Sequence, residues 1–295
     1  MLTRRACLSG LAAGAFCARF AAARGATPAR IVAADWAAAE SLLALGVVPL
    51  AVSDTTTFRE WLPEIALPPS VLDLGSRAEP NLELLTELRP DLILVSNWQA
   101  NLLGLFRAVA PAETVSIIMP RTDPMENARA ALRAIADRIG RQGEATTYLA
   151  AFEAALRMAG EDGHLSRTRP VYIGVLHENG TQIFLYGPGS WVQSLMNRLG
   201  LRNALTSPTS AFGNALVDLA QLAATPDAAL LYLDQGERTR RAELALRNST
   251  LWQALPMVAQ KRVRAIPPFY ALGGIPSIWR CARLLSNALS DRSDG

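Results

Sequence analysis

Residues 125–162 read MENARAALRAIADRIGRQGEATTYLAAFEAALRMAGED, a stretch without proline that is rich in Ala, Leu, Arg and Glu. These residue types favour helix, and Gly140 and Gly143 interrupt the pattern at one place. The stretch therefore predicts a helix that ends near Arg138, followed by a longer helix from Glu144 to Ala159. At roughly 1.5 Å per residue the second helix spans more than about 20 Å, which is enough to join two separate parts of the chain.

Strand and helix patterns alternate on the N-terminal side of this stretch. The predicted strands are Ile31–Ala34, Val47–Val52, Asp91–Val95 and Thr114–Ile118. The predicted helices are Ala37–Leu45, Asn81–Leu88 and Leu102–Val109, and Ser53–Pro69 is predicted to be a loop. Short connections between alternating strands and helices are typical of an α/β domain with a parallel sheet.

The alternation resumes on the C-terminal side. The predicted strands are Val171–Leu176, Gln182–Tyr186, Ala228–Leu233 and Val263–Ile266. The predicted helices are Ser190–Leu199, Leu216–Ala224, a short one from Thr250, and Ser277–Leu289. The expected fold is therefore α/β, with two Rossmann-like lobes joined by a single long helix. We place the N-terminal lobe at 26–140, the linking helix at 141–163 and the C-terminal lobe at 164–295.

The first 25 residues have the parts of an export signal. Arg4 and Arg5 precede an apolar stretch from Leu8 to Phe20, and small residues follow, with a predicted cleavage after Gly25. The paired arginines suit a twin-arginine signal, although an ordinary secretion signal fits as well. Four of the arginines lie in this leader without an acidic residue, so the rest of the chain is nearly neutral. That balance argues against a nucleic-acid partner.

The remaining chain lacks the motifs of most enzyme classes. It has no phosphate-binding loop, no G-x-S-x-G elbow and no H-E-x-x-H, and Cys281 is its single cysteine after the leader. Cys281 lies in an amphipathic helical pattern and is predicted to be a core residue. The loops instead carry aromatic residues that predict either a binding surface or local core, namely Trp36, Phe58, Trp61, Trp98, Phe212, Phe269 and Tyr270. Arg77, in a loop before a helix, either donates to a ligand oxygen or pairs with Glu79.

Two segments of the N-terminal half resemble a known family. Leu42–Pro49 and Glu79–Asp91 are similar to the N-lobe of periplasmic binding proteins for siderophores, haem and cobalamin. Supporting segments that favour the iron(III)-hydroxamate siderophore-binding members are Thr57–Trp61, Leu185–Ser190 and Leu251–Pro256. The resemblance runs from about Arg30 to Leu289. It implies a monomer in the periplasm that binds a ferric hydroxamate between its lobes and hands it to an inner-membrane ABC permease.

The resemblance also implies roles for particular residues. Arg77 falls on the ligand-binding arginine, Trp61 on a cleft tryptophan, and Trp36 on a tryptophan that begins the first helix. Five further positions depart from the pattern, although the cleft stays aromatic and polar. Phe212 and Tyr270 replace tryptophans, Trp98 and Leu272 lie where tyrosines are expected, and Asn214 holds a serine position. Glu83 and, in the other lobe, Asp218 are implied to dock onto the permease.

The family's chemistry implies no resident cofactor, because a hydroxamate siderophore surrounds its iron with its own oxygens. Iron would then be cargo, and the protein would supply no metal ligand. Other bulky chelates remain alternatives, namely cobalamin, haem or a catecholate siderophore, as does an exported two-lobed enzyme. A catecholate complex is strongly anionic and would favour several basic groups, whereas Arg77 is the one strong candidate in the sequence. This favours the near-neutral hydroxamates.

Overall fold

A computed structural model describes residues 27–162 and 167–290. The predicted leader therefore lies outside the described residues. The N-terminal sheet has five strands: β1 (Ile31–Ala33), β2 (Ala51–Val52), β3 (Leu72–Asp73), β4 (Leu92–Ser96) and β5 (Ala112–Val115). Their order is β3-β2-β1-β4-β5, and every pairing is parallel. The predicted parallel α/β lobe is confirmed.

The helices of this lobe are α1 (Trp36–Ala44), α2 (Thr55–Trp61), α3 (Leu82–Leu88) and α4 (Leu103–Val109), with a 3-10 helix at Asn97–Leu102. The prediction of a loop over Ser53–Pro69 is wrong, because it contains α2. Three consecutive threonines disfavour helix locally. Burial of Phe58 and two hydrogen bonds from Thr55 to the Asp73 carboxylate, at 3.0 and 2.5 Å, stabilise this helix from outside it.

Two helices, α5 (Pro124–Ile139) and α6 (Gln142–Glu161), carry the chain from one sheet to the other. Gly140 ends α5 with a φ of 71°, a left-handed conformation that glycine adopts without strain. The 20 residues of α6 make it the long helix that the sequence predicts. None of the helices in residues 27–162 and 167–290 is both long and apolar enough to cross a membrane.

The C-terminal sheet contains β6 (Pro170–Leu176), β7 (Gln182–Tyr186), β8 (Arg202–Asn203), β9 (Asn214–Asp218), β10 (Ala229–Leu233) and β11 (Val263–Ile266). Its order is β11-β10-β6-β7-β9, with β8 beside the start of β6 and antiparallel pairings on both sides of β7. The helices are α7 (Trp191–Arg198), α8 (Glu237–Arg247), α9 (Thr250–Ala254), α10 (Pro256–Ala259) and α11 (Ile275–Leu289), with a 3-10 helix at Leu219–Ala224.

The helix predicted over Leu216–Ala224 is wrong in its first half. Asn214–Asp218 forms strand β9, which pairs with β7 so that Leu216 lies opposite Phe184. Cross-strand contacts with a distant segment override the helical propensity of the local sequence. This strand places Asn214 at the edge of the cleft described below.

One hydrophobic core extends beneath both sheets. It includes Trp36 on α1, Phe152 on α6, Trp191 on α7 and Cys281 on α11, all with no exposed surface. The prediction that Cys281 is a core residue is confirmed. Because α11 packs against α1, α5, α6 and α7, the final helix also ties the two lobes together.

A buried carboxylate lies where α1 meets the beginning of α11. Glu40 is fully buried and accepts hydrogen bonds from the Gly274 N–H and, at 2.6 Å, from the Ser277 hydroxyl. Burial is the main cause that raises the pKa of Glu40 to about 8. The folded protein therefore binds this proton more tightly than the unfolded chain does.

The stability of the protein should decline as pH rises from about 5 to about 8, where Glu40 is protonated in the folded state but ionised in the unfolded chain. Glu40→Gln keeps a carbonyl acceptor without the ionisation, so it should lose this part of the pH dependence. Urea unfolding at about pH 5 and about pH 8 measures the change in the free energy of unfolding. Glu87→Gln, at an exposed position, is the control. If the free energy of unfolding changed equally with pH in the wild type and in Glu40→Gln, the assignment to Glu40 would be contradicted.

Candidate functional site

A cleft of ≈ 580 Å³ lies between the lobes. Its lining is mainly aromatic and apolar, with a few polar and charged groups. The N-terminal lobe contributes Asp54, Trp61, Ser76, Arg77, Ala78 and Trp98. The C-terminal lobe contributes Val175, Phe184, Tyr186, Phe212, Asn214, Gln235, Arg238, Phe269, Tyr270, Ala271 and Leu272. Of the seven ligand-binding residues predicted from the sequence, six line this cleft.

Arg77 is held in the cleft by three contacts. Its Nε donates to the Asp54 carboxylate at 2.8 Å, so the predicted alternative partner, Glu79, is not the one it uses. Its guanidinium carbon lies 3.8 Å from the centre of the Trp36 ring and 5.2 Å from that of Tyr270. A cation stacked on aromatic faces is oriented and partly desolvated. The ion pair uses Nε, which leaves the two terminal nitrogens for a ligand.

Trp36 does not line the cleft, contrary to its predicted place among the ligand-binding residues. It is fully buried, and its indole N–H donates to the Ser53 carbonyl at 2.9 Å. Its ring contacts Trp61 and Tyr270 edge-on, at centroid distances of 5.6 and 5.1 Å. Helix α1 turns its first residue toward the core, so Trp36 lies beneath the arginine instead of facing the ligand.

Asp35, which the sequence analysis did not identify, organises the floor of the cleft. It precedes α1, and its carboxylate accepts from the Ala37 N–H at 2.9 Å. The same carboxylate accepts from the Trp98 indole at 3.1 Å and from the Tyr270 hydroxyl at 2.9 Å. Burial raises the pKa of Asp35, and these hydrogen bonds and the Arg77 charge oppose that rise. Asp35 thus positions one aromatic side chain from each lobe.

The other predicted ligand-binding residues lie on the walls. Trp61 ends α2. Phe212, with 39% of its surface exposed, lies in the turn before β9, and Asn214 begins that strand. The Asn214 side-chain Oδ1 accepts from the Ser210 hydroxyl at 2.8 Å, which leaves the side-chain NH₂ group for a ligand. Trp98 lies in the 3-10 helix that follows β4.

Two polar groups of the C-terminal lobe were missed by the sequence analysis. Gln235 lies in the connection between β10 and α8, Arg238 lies in the first turn of α8, and both line the cleft. The Gln235 Oε1 atom is buried without a hydrogen-bond partner. Their sequence, between a strand and an amphipathic helix, carries no motif, so only the tertiary arrangement brings them to the site.

The two residues implied to dock onto a permease lie away from the cleft. Glu83 is exposed in the first turn of α3, while Leu85 is buried in the core and Leu82 and Leu88 pack against that core. Asp218 is exposed at the end of β9 and accepts from the Gln182 amide at 3.1 Å. It precedes a 3-10 helix and not the α-helix that was expected.

Comparison with known proteins agrees with this architecture. A family model described as periplasmic binding protein matches residues 31–270. The chain belongs to the periplasmic binding protein family. Like its relatives in this family, it is a substrate-binding protein for transport and not an enzyme.

Individual relatives are proteins that bind ferric complexes. This family member is 33% identical over 266 residues to the iron(3+)-hydroxamate-binding protein FhuD of Escherichia coli strain K12, covering 90% of this chain and 88% of FhuD. It is 26% identical to the Fe(3+) dicitrate-binding periplasmic protein FecB of the same strain, over 81% of this chain and 77% of FecB. The crystal structure of Vibrio cholerae FhuD bound to Fe3+-Desferal matches with a TM-score of 0.80 and 27% identity, over 88% of this chain and 97% of that one.

Proposed function

We propose that this protein captures a ferric hydroxamate siderophore as an intact complex and delivers it to an inner-membrane ABC permease for iron uptake. The observation that carries the proposal is Arg77, stacked on aromatic rings inside a cleft of ≈ 580 Å³. Hydroxamate oxygens around iron carry partial negative charge, and a guanidinium donates to such oxygens. The aromatic walls bury the apolar parts of the chelate.

Iron in this proposal is cargo that arrives inside its chelate, and the protein itself holds no cofactor. In residues 27–162 and 167–290, no three His, Cys, Asp or Glu side chains converge as a metal-binding group. The names of the E. coli and V. cholerae relatives, with their hydroxamate and Desferal ligands, support the same chemistry. The buried Gln235 Oε1 adds an acceptor for an amide N–H of the siderophore.

Fluorescence titration tests this proposal, because Trp61 and Trp98 line the cleft. Ferric desferrioxamine should quench tryptophan emission in a saturable manner, whereas ferric citrate, which lacks an apolar surface, should not. Iron-free desferrioxamine is the control, because it has the same atoms without being wrapped around an iron ion. Tight binding of ferric ion without a siderophore, or a preference for haem, cobalamin or a ferric catecholate, would overturn the proposal.

The proposal includes export to the periplasm by the signal at 1–25, as a twin-arginine substrate, and action there as a monomer. Membership of a periplasmic family supports the location. Arg4→Lys combined with Arg5→Lys should leave the precursor in the cytoplasm if the twin-arginine route is used. Normal export of that double variant would point to an ordinary secretion signal.

Reversing the charge of Glu83 should lower siderophore uptake in cells without changing chelate affinity. Glu83 is exposed on α3, is not among the residues that line the cleft, and is suited to meet a basic group on the permease. Glu83→Arg should cut transport, and adding Asp218→Arg should cut it further. Glu87→Arg makes the same charge change on the same helix and should transport normally. Full uptake by the double variant would show that docking uses other residues.

A further inference from the structure

The cleft contains a second arginine, contributed by the lobe opposite to that of Arg77. Arg238 lies in the first turn of α8 and lines the cleft beside Gln235. Its side chain is 39% exposed, so it is neither fully solvated nor sealed in the core. The second cation therefore faces the ligand space.

Arg238 has the weakest ion pair of the three arginines in a charged cluster at the start of α8. The Arg238 Nε lies 3.6 Å from Glu178 Oε1, whereas Arg241 donates twice to the same carboxylate, at 3.1 and 3.2 Å. Arg240 pairs with Glu237 through two bonds of 2.7 and 2.6 Å. Three arginines thus share two glutamates, and the shorter bonds belong to the two arginines that do not line the cleft.

The two cleft arginines differ in how far their charge is offset. Arg77 is neutralised at 2.8 Å by Asp54, the only carboxylate among the described residues that line the cleft. Asp35 lies beneath the floor and is held by its own donors. Asp234 does not line the cleft, and its carboxylate accepts the Gly236 N–H at 3.0 Å. Arg238 therefore has no carboxylate partner within the cleft lining, and its ion pair with Glu178, at 3.6 Å, is longer than that of Arg77 with Asp54.

Building on the proposed function, we propose that the preferred chelate is a ferric hydroxamate that also carries a free carboxylate, and that Arg238 is the specificity-determining residue that pairs with it. A guanidinium with one long ion pair gains from a carboxylate that it can bind with two parallel bonds. Aromatic residues line the same cleft, and an apolar lining lowers the local polarity and strengthens such a pair. Arg77 donates to the iron-bound hydroxamate oxygens, and Arg238 pairs with the free carboxylate at the periphery of the chelate.

A matched ligand series tests this inference with the whole protein. Desferrioxamine B carries a terminal amine, which N-acetylation makes neutral and N-succinylation converts to a carboxylate, while the iron-binding part is unchanged. The succinylated ferric complex should bind about tenfold more tightly than the parent ammonium form, with the acetylated form between them. The differences in affinity among the three complexes should become smaller at high salt, because the ion pair between Arg238 and the carboxylate is partly exposed to solvent.

Arg238→Gln should bring the three affinities together, and Arg238→Lys should keep part of the order because it retains the charge without the planar fork. Arg240→Gln removes an equal charge from the same helix outside the cleft and should preserve the order. Equal affinities in the wild type, or an unchanged order in folded Arg238→Gln, would overturn the inference while leaving the proposed function intact. Failure of all three complexes to bind would overturn both.

Discussion

Replacing Arg77 by alanine should weaken the binding of a ferric hydroxamate by about ten- to a hundredfold, because hydrogen bonds that involve a charged group contribute roughly 1.5–3 kcal/mol. The substitution also leaves Asp54 without its ion-pair partner in the cleft. An unpaired carboxylate repels the hydroxamate oxygens and adds to the loss. The dissociation constant is measured by tryptophan quenching with ferric desferrioxamine.

Two further variants separate the role of the guanidinium from that of charge alone. Arg77→Lys should recover only part of the affinity, since lysine keeps the charge but loses the planar fork and its stacking on Trp36. Arg107→Ala removes an exposed arginine of the same lobe outside the cleft and should bind normally. Unchanged affinity in folded Arg77→Ala would remove this residue from the binding site and with it the main support for the proposed function.

Replacing Trp36 by alanine should lower the free energy of unfolding by about 3–5 kcal/mol, the usual cost of removing a large buried aromatic side chain. Trp36 has no exposed surface, donates to the Ser53 carbonyl, and contacts the rings of Phe58, Trp61 and Tyr270. Urea unfolding of the purified variant measures the loss. A change below about 1 kcal/mol would contradict its place in the core.

A milder substitution tests whether Trp36 supports Arg77 or contacts the ligand. Trp36→Phe keeps an aromatic face under the guanidinium but loses the bond to Ser53. We expect it to reduce stability less than Trp36→Ala and to leave the affinity for ferric desferrioxamine near that of the wild type. A large loss of affinity without a loss of stability would mean that the ring reaches the ligand after all.

Several features of this protein follow from local sequence. The proline-free stretch at 125–162 and its glycines predict α5 and α6, because helix propensity and a C-terminal glycine depend on residues within a turn or two. The alternation of strands and helices predicts the α/β class for the same reason. For Arg77 the loop alone left two alternatives and the family resemblance implied the ligand-binding role, and this residue does line the cleft.

Other features were decided only by tertiary contacts. Asp35 binds Trp98 and Tyr270, which lie 63 and 235 residues away along the chain, and no local pattern records such a pairing. Strand β9 forms because it pairs with β7, although the sequence from Leu216 onward predicts a helix. Trp36 is buried because α1 faces a core built from both lobes. Arg238 reaches the cleft because folding brings α8 to the side opposite the Arg77 loop. The local sequence of one segment does not indicate where the other lies in the folded protein.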